Sequence, residues 1–366
     1  MKVNLIKLAL DKIKIAKSTG KKVVFMIGST AKQESEPFLS PLREYDDFCV
    51  LGCVVFDQSS LVDLLNKIDG LVDIILVDAE KKIPIHLGGA SISDIVDLRT
   101  KDSDSLTIAP FETGNFSKLC FINIKKSLVF EYKPNDITVN AAWMFISQKL
   151  HFFSGKKISL IGLGNIGSKL ALKLVECGAD VHIYSRDYFK SHLITQALNL
   201  IKPIGTVASI TCHREPLPAT IASDVLIGST NGYPVITDEI IASVNRECLI
   251  IDLGKNNLTK SAVQLCRDND LEISRTDITN SIEAFVREIL SLSFALEHDY
   301  GNKHIDGHLV VGGGFFGQEG SIVVDSISNP KWVFGVSDGA GALKTELSDI
   351  DKKGIKHISE FYGISG

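Results

Sequence analysis

The most regular pattern of apolar and polar positions lies in the middle of the chain. Six short apolar runs fall at residues 158–161, 180–184, 206–211, 224–228, 248–253 and 271–274. Between most of them the apolar positions take helical spacing, at about 165–177, 189–200, 238–245 and 260–268. Strand and helix alternating in this way predict a parallel sheet covered by helices on both faces. A longer helical pattern at about 278–297 leaves this unit.

The flanks are less regular. Leu5, Ile6, Leu8, Leu10, Ile13 and Ile15 suit an amphipathic N-terminal helix. Apolar runs at 21–29, 48–56 and 72–77 predict strands, and Asp57 to Ser60 offers an N-cap before a helix at 61–68. Further short strands are expected at 106–108 and 119–124, then a helix over 138–150 after the turn-like Lys133-Pro134-Asn135-Asp136. Beyond residue 299 the pattern favours strands near 308–311, 321–324 and 332–336, followed by one or two helices between 340 and 362. The glycine-rich segment from Gly312 to Gly320 lies between two of those strands and is expected to form a hairpin or a covering loop.

The expected division is an N-terminal α/β domain over 1–137, a second domain over 138–298, and a segment over 299–366 that returns to complete the first. At 366 residues the length suits two domains. A hydrophobic share of 45% supplies enough apolar surface for packed cores, which excludes a disordered chain. The formal net charge of −5 gives no general electrostatic footprint for nucleic acid. None of the seven cysteines stands in a C-x-x-C pair, and no histidine partner set completes a zinc pattern, so no metal is expected. They are expected to be small buried hydrophobes in a reducing compartment. No apolar run approaches the length of a membrane span, so a soluble, cytoplasmic protein is expected, and a homo-oligomer such as a dimer.

The chemistry concentrates at Gly162-Leu163-Gly164-Asn165-Ile166-Gly167. Alone, G-x-G-x-x-G carries little information. Here a strand runs into it, a helix opens from it, Gly178 stands where that helix should end, and a second strand follows. In that setting Gly162 permits a tight turn, Gly164 lets backbone approach a pyrophosphate, and Gly167 lets helix and strand pack closely. The helix start directs N–H groups and partial positive charge at the phosphates. A dinucleotide cofactor is therefore expected, with Asn165 and Ile166 beside it. An NAD site usually has an acid at the end of the second strand, whereas this chain has Ser185, Arg186 and Asp187, with Lys190 close behind. A hydroxyl with a guanidinium suits a 2′-phosphate, which favours NADP over NAD. Asp187 is the opposing feature. The ends of the fourth and fifth strands should face the cofactor too, which adds Ser229, Thr230, Asn231, Asp252 and Gly254.

These residues together resemble the amino-acid-dehydrogenase-like group of NAD(P)-binding Rossmann domains, as in shikimate dehydrogenase, methylenetetrahydrofolate dehydrogenase and glutamyl-tRNA reductase. Ser185-Arg186-Asp187 is similar to that group's Ser/Asn-Arg-Ser/Thr motif, and residues 230–237 and 249–254 look like its fourth and fifth strand segments. The resemblance covers about 138–298. It implies a doubly wound parallel Rossmann sheet, a separate α/β catalytic domain and a cleft between them. The departures are Asp187, no substrate motif of the shikimate or folate type in residues 1–137, and a strand-rich C-terminal extension foreign to the common pattern.

A dehydrogenase needs a proton donor or acceptor beside the hydride-transfer carbon. Lys81, Lys82 and His86 follow a predicted strand, and Asp136 precedes the connecting helix; these are the catalytic candidates. The function expected is an NADP-preferring oxidoreductase acting on a small keto acid, hydroxy acid or imine. Two alternatives are a non-redox cyclase, lyase or hydrolase holding its cofactor tightly, and a cofactor-binding protein without turnover.

Overall fold

The computed structural model of the chain describes residues 2–29, 36–56, 58–80, 116–230, 232–276 and 278–364. It divides into two compact units, residues 1–278 and 279–366.

The first unit begins with helix α1 (Lys2–Ser18), then strands β1 (Lys22–Gly28), β2 (Phe38–Leu39), β3 (Arg43–Glu44) and β4 (Phe48–Val54). Helix α2 (Gln58–Ile68), strand β5 (Ile74–Asp78), helix α3 (Ser117–Asn123) and strand β6 (Leu128–Tyr132) complete the first sheet, whose order is β2-β4-β1-β5-β6 with β3 also on β4. Its four main strands are parallel, with β2 and β3 antiparallel to β4. Parallel strands buried on both faces read as continuous apolar runs, as Val23 to Ile27 and Phe48 to Cys53 do.

One expectation fails here. The run 119–124 is not a strand, because α3 occupies it. Phe116, Cys120 and Ile124 are buried at intervals of four, whereas Phe121 and Ile122 are exposed. That is helical spacing in a run too short for its period to be read from the residues alone. The strand expected at 106–108 lies outside the described residues.

Helix α4 (Pro134–Leu150) leads into the second sheet. Its elements are β7 (Lys157–Ile161), α5 (Asn165–Glu176), β8 (Asp180–Tyr184), α6 (Tyr188–Ile201), β9 (Ile210–His213), α7 (Pro216–Thr220), β10 (Val225–Gly228), α8 (Asp238–Ser243), β11 (Leu249–Asp252), α9 (Lys260–Asp268) and β12 (Ile273–Arg275). All six strands are parallel, in the order β12-β11-β10-β7-β8-β9. Counted from the first of them, this is 6-5-4-1-2-3, the doubly wound dinucleotide-binding arrangement. Side chains alternate across it. Ile158, Leu160, Val225 and Ile227 pack with α5, while Ile161, Leu226 and Ile250 pack with α8 and α9. The third strand starts later than the pattern suggests, at Ile210, because Lys202 ties up the carbonyls of Thr206 and Ala208 and leaves Val207 in solvent.

The second unit opens with helix α10 (Thr279–His298), followed by β13 (Gly301–Ile305), β14 (His308–Gly312), β15 (Ile322–Val324), β16 (Val333–Val336) and helix α11 (Asp349–Tyr362). Its strands form their own sheet, β13-β14-β15-β16. The segment 312–320 is not a hairpin, because β14 and β15 pair in parallel, which a tight turn cannot connect. A single helix fills the last stretch, closed by a Ser348/Asp351 capping box and a left-handed Gly363. Two cysteines depart from the buried expectation: Cys212 is half-buried, and Cys177 departs further. It lies exposed at the C-cap of α5, where the helix leaves the sheet. No described helix is long and apolar enough to cross a membrane.

Candidate functional site

The end of β7 meets the start of α5 in a turn that only glycine can make without strain. Gly162 has φ +108° and donates its N–H to Tyr184 O at 2.8 Å. A Cβ there would lie 2.3 Å from Ser229 O. At Gly167 a Cβ would lie 2.4 Å from Gly162 O, so the helix sits against the strand at a distance no side chain allows. Gly164 is different. It is the N-cap residue of α5 with φ −86°, and a Cβ there would meet nothing within 4 Å. Bare backbone at Gly164 therefore faces open space at the start of a helix, the arrangement that accepts a phosphate.

That space is a cavity of about 290 Å³. Its floor is Ile161, Gly162, Leu163 and Gly164, and one wall is Tyr184, Ser185, Arg186, Asp187 and Lys190. Ser229, Thr230, Tyr233 and Val235 close the other side. Eight of the residues expected to bind cofactor are thus brought together: Gly162, Gly164, Ser185, Arg186, Asp187, Lys190, Ser229 and Thr230. Asn165, Ile166 and Gly167 stand behind them on α5. Asn165 accepts from Asn135 Nδ2 at 3.2 Å, and Ile166 packs on the core. Asn231 lies outside the described residues. Asp252 lines a different cavity, and Gly254 lines neither.

Asp187, the feature that opposed NADP, has a structural task. It is the N-cap of α6, and its carboxylate accepts from Lys190 N at 3.0 Å. Arg186 lies over the Tyr233 ring, Cζ 4.8 Å from its centroid. This cation–π contact holds the guanidinium at the cavity wall. Nothing local to Tyr233 announces this role, because it reaches Arg186 from 47 positions further along the chain.

Asn257 is the second unforeseen residue. It is fully buried, and its amide donates to Gly228 O at 3.1 Å and to Asp252. Its oxygen accepts from Thr230 N at 2.7 Å and from the Thr230 hydroxyl. One side chain thereby ties the ends of β10 and β11 together beneath the cavity. Lys255 and Asn256, just before it, both have φ +60°. Two successive non-glycine residues in the left-handed region mark backbone held against its preference.

Of the catalytic candidates, Lys81, Lys82 and His86 lie outside the described residues. Asp136 sits in the first turn of α4 and pairs with Lys133 Nζ at 3.0 Å and with Lys169 of α5. Burial works against its charge, but hydrogen bonds from Lys169 and Lys133 outweigh that and hold its pKa below the ordinary carboxylate value. Asp136 therefore clamps α4 to the helix that carries the glycine loop.

No family model matches the chain. Glutamyl-tRNA reductase of Thermosipho melanesiensis is 31% identical over 100 residues, 27% of this chain and 25% of that protein. The probable multifunctional siroheme biosynthesis protein HemA of Ruminiclostridium josui is 27% identical over 221 residues, 59% of this chain and 39% of that protein. The matches thus span about a quarter to two fifths of the curated relatives' lengths. Among solved structures, a shikimate dehydrogenase in complex with NADP+ aligns at 12% identity and TM-score 0.37, covering 70% of this chain and 85% of that one. Glutamyl-tRNA reductase from Methanopyrus kandleri aligns at 21% identity and TM-score 0.34, covering 44% and 41%. Superpositions this loose leave the fold to rest on strand order and the glycine turn. On those grounds the middle of the chain is a Rossmann-type domain of the kind found in NAD(P)-binding dehydrogenases, and the sequence is similar in part to glutamyl-tRNA reductase.

Proposed function

We propose that the cavity at the carboxyl ends of β7 and β8 binds NADP in preference to NAD, and that the protein transfers a hydride to or from a small polar metabolite, a keto acid, hydroxy acid or imine. One observation carries the cofactor choice. One oxygen of the only carboxylate in the motif after β8 is engaged in capping α6, and Ser185, Arg186 and Lys190 on the same wall supply a hydroxyl and two cations to meet a 2′-phosphate. Gly164 and the start of α5 would hold the pyrophosphate, and Ser229 and Thr230 would run beneath the ribose on the nicotinamide side. The cofactor supplies the hydride chemistry. The chain's part is to orient it and exclude water. Similarity to a reductase supports a redox reading over the non-redox alternatives.

The test is a steady-state assay of NADPH oxidation, and NADP+ reduction, over a panel of small keto acids, hydroxy acids and imines, using the full chain. Turnover with one class and its loss in Gly164→Val supports the reading. Saturable cofactor binding without turnover across the panel would favour a protein that binds cofactor without redox chemistry. A homo-oligomer and cytoplasmic residence belong to the same proposal, and sedimentation velocity checks the first.

A further inference from the structure

The structure of the first unit contains a second, larger cavity, of about 580 Å³, which shares no lining residue with the one at the glycine loop. It lies between α9 and the edge strand β12. From the helix, Lys260, Val263 and Arg267 point to it, at positions i, i+3 and i+7 of one helical face. From the strand come Ile273, Ser274 and Arg275, and Asp252 lies level with Arg275 in the paired strand.

The described lining of this cavity is positively charged overall. Three cations line it, and none of them makes an ion pair among the described residues. Among the described residues its one carboxylate is Asp252, which is almost fully buried and is held by the Asn257 amide. An anion entering among three cations that lack an ion-pair partner can meet each of them in turn, an attraction that rises as ionic strength falls. The start of α9 adds partial positive charge at the Lys260 end. Leu258, Val263 and Ile273 give the space an apolar lining between its charged ends. Seven residues along a helix rise about 10 Å, so Lys260 and Arg267 stand far enough apart to meet two separate anionic groups.

We propose that this cavity is an anion site for a small elongated ligand with an acidic group, carboxylate or phosphate, at each end and an apolar middle. The site is independent of the dinucleotide reading, because it shares no residue with that cavity.

The test is calorimetric titration of the full chain with pimelate and with pentane-bisphosphonate, which have similar length and differ in the acidic group. Hexanoate, charged at one end only, is the control. The expected result is saturable one-to-one binding of one or both dianions, with hexanoate at least about tenfold weaker. Arg267→Gln and Arg275→Gln should each weaken it about five- to tenfold, as expected for a lost charge-assisted hydrogen bond in a partly solvated site. Both arginines are exposed, so melting temperature should hold. The preferred dianion tells whether the natural ligand is a carboxylate or a phosphoester. NADPH titration of the same variants should be unchanged, which separates this proposal from the cofactor reading. Absence of saturable binding by either dianion would overturn it. Binding that survives both substitutions, or that is lost in Arg186→Gln instead, would do the same.

Discussion

Substituting two glycines of one turn by alanine separates what the fold requires from what a ligand requires. At Gly167 the added methyl would sit 2.4 Å from a backbone carbonyl that cannot rotate away. Helix α5 would have to move off β7, and overpacking of this kind costs about 1–3 kcal/mol. At about 2–4 °C per kcal/mol for a domain of this size, Gly167→Ala should lower the melting temperature by roughly 2–12 °C. At Gly164 the methyl meets nothing within 4 Å, and φ is −86°. There alanine should leave stability unchanged, or raise it by about 0.4–1 kcal/mol by restricting the unfolded chain. The methyl would, however, stand where a pyrophosphate must approach the backbone. Loss of one charge-assisted hydrogen bond is worth about 1.5–3 kcal/mol, so NADPH affinity should fall at least about tenfold. The assay is thermal melting of both variants by circular dichroism, with NADPH titration followed by fluorescence. The reasoning is refuted if Gly164→Ala melts as low as Gly167→Ala, or if it binds NADPH as tightly as the unsubstituted protein.

Three further outcomes are expected. Arg186→Ala should bring NADPH affinity down to that of NADH, a loss of about tenfold or more, with NADH affinity little changed; parallel titrations would show otherwise if both fell together. Asn257→Ala removes a fully buried amide with partners on Gly228, Thr230 and Asp252, and should cost about 2–4 kcal/mol in denaturant unfolding. A change within the noise would show that the ends of β10 and β11 do not depend on it. His182 Nδ1 lies 2.9 Å from His213 Nε2, and burial, with help from Lys157 and His213, lowers its pKa from 6.5 to about 4. A folded pKa below the unfolded one gives stability that is present above pH 6.5 and lost as pH falls toward 4. His182→Gln should flatten the melting temperature across that window, and an unaltered slope would place the acid sensitivity elsewhere.

Much of the central domain was legible in the sequence because its signals are local. A buried parallel strand must be apolar along its length, and each glycine in the turn answers to its immediate neighbours. What stayed hidden depends on distant contacts. Asp187 reads from its residue type alone as a ribose partner or a helix cap, and the fold puts one of its carboxylate oxygens on Lys190 N. Tyr233 and Asn257 gain their roles from Arg186 and Thr230, which the fold, not the chain order, brings near. Residues 119–124 read as a strand although they belong to the helix at 117–123, because seven residues hold too few turns to declare a period. For the link between β14 and β15 only the hairpin alternative falls, because a glycine-rich link suggests a reversal while nothing in its residues reports strand direction.

The most direct measurement is the equilibrium titration of the full chain with NADPH and with NADH under one buffer. The account predicts saturable binding at one site per chain, with NADPH at least about tenfold tighter, as a phosphate held by Arg186 and Lys190 requires. Binding of neither dinucleotide, or tighter binding of NADH, would contradict it.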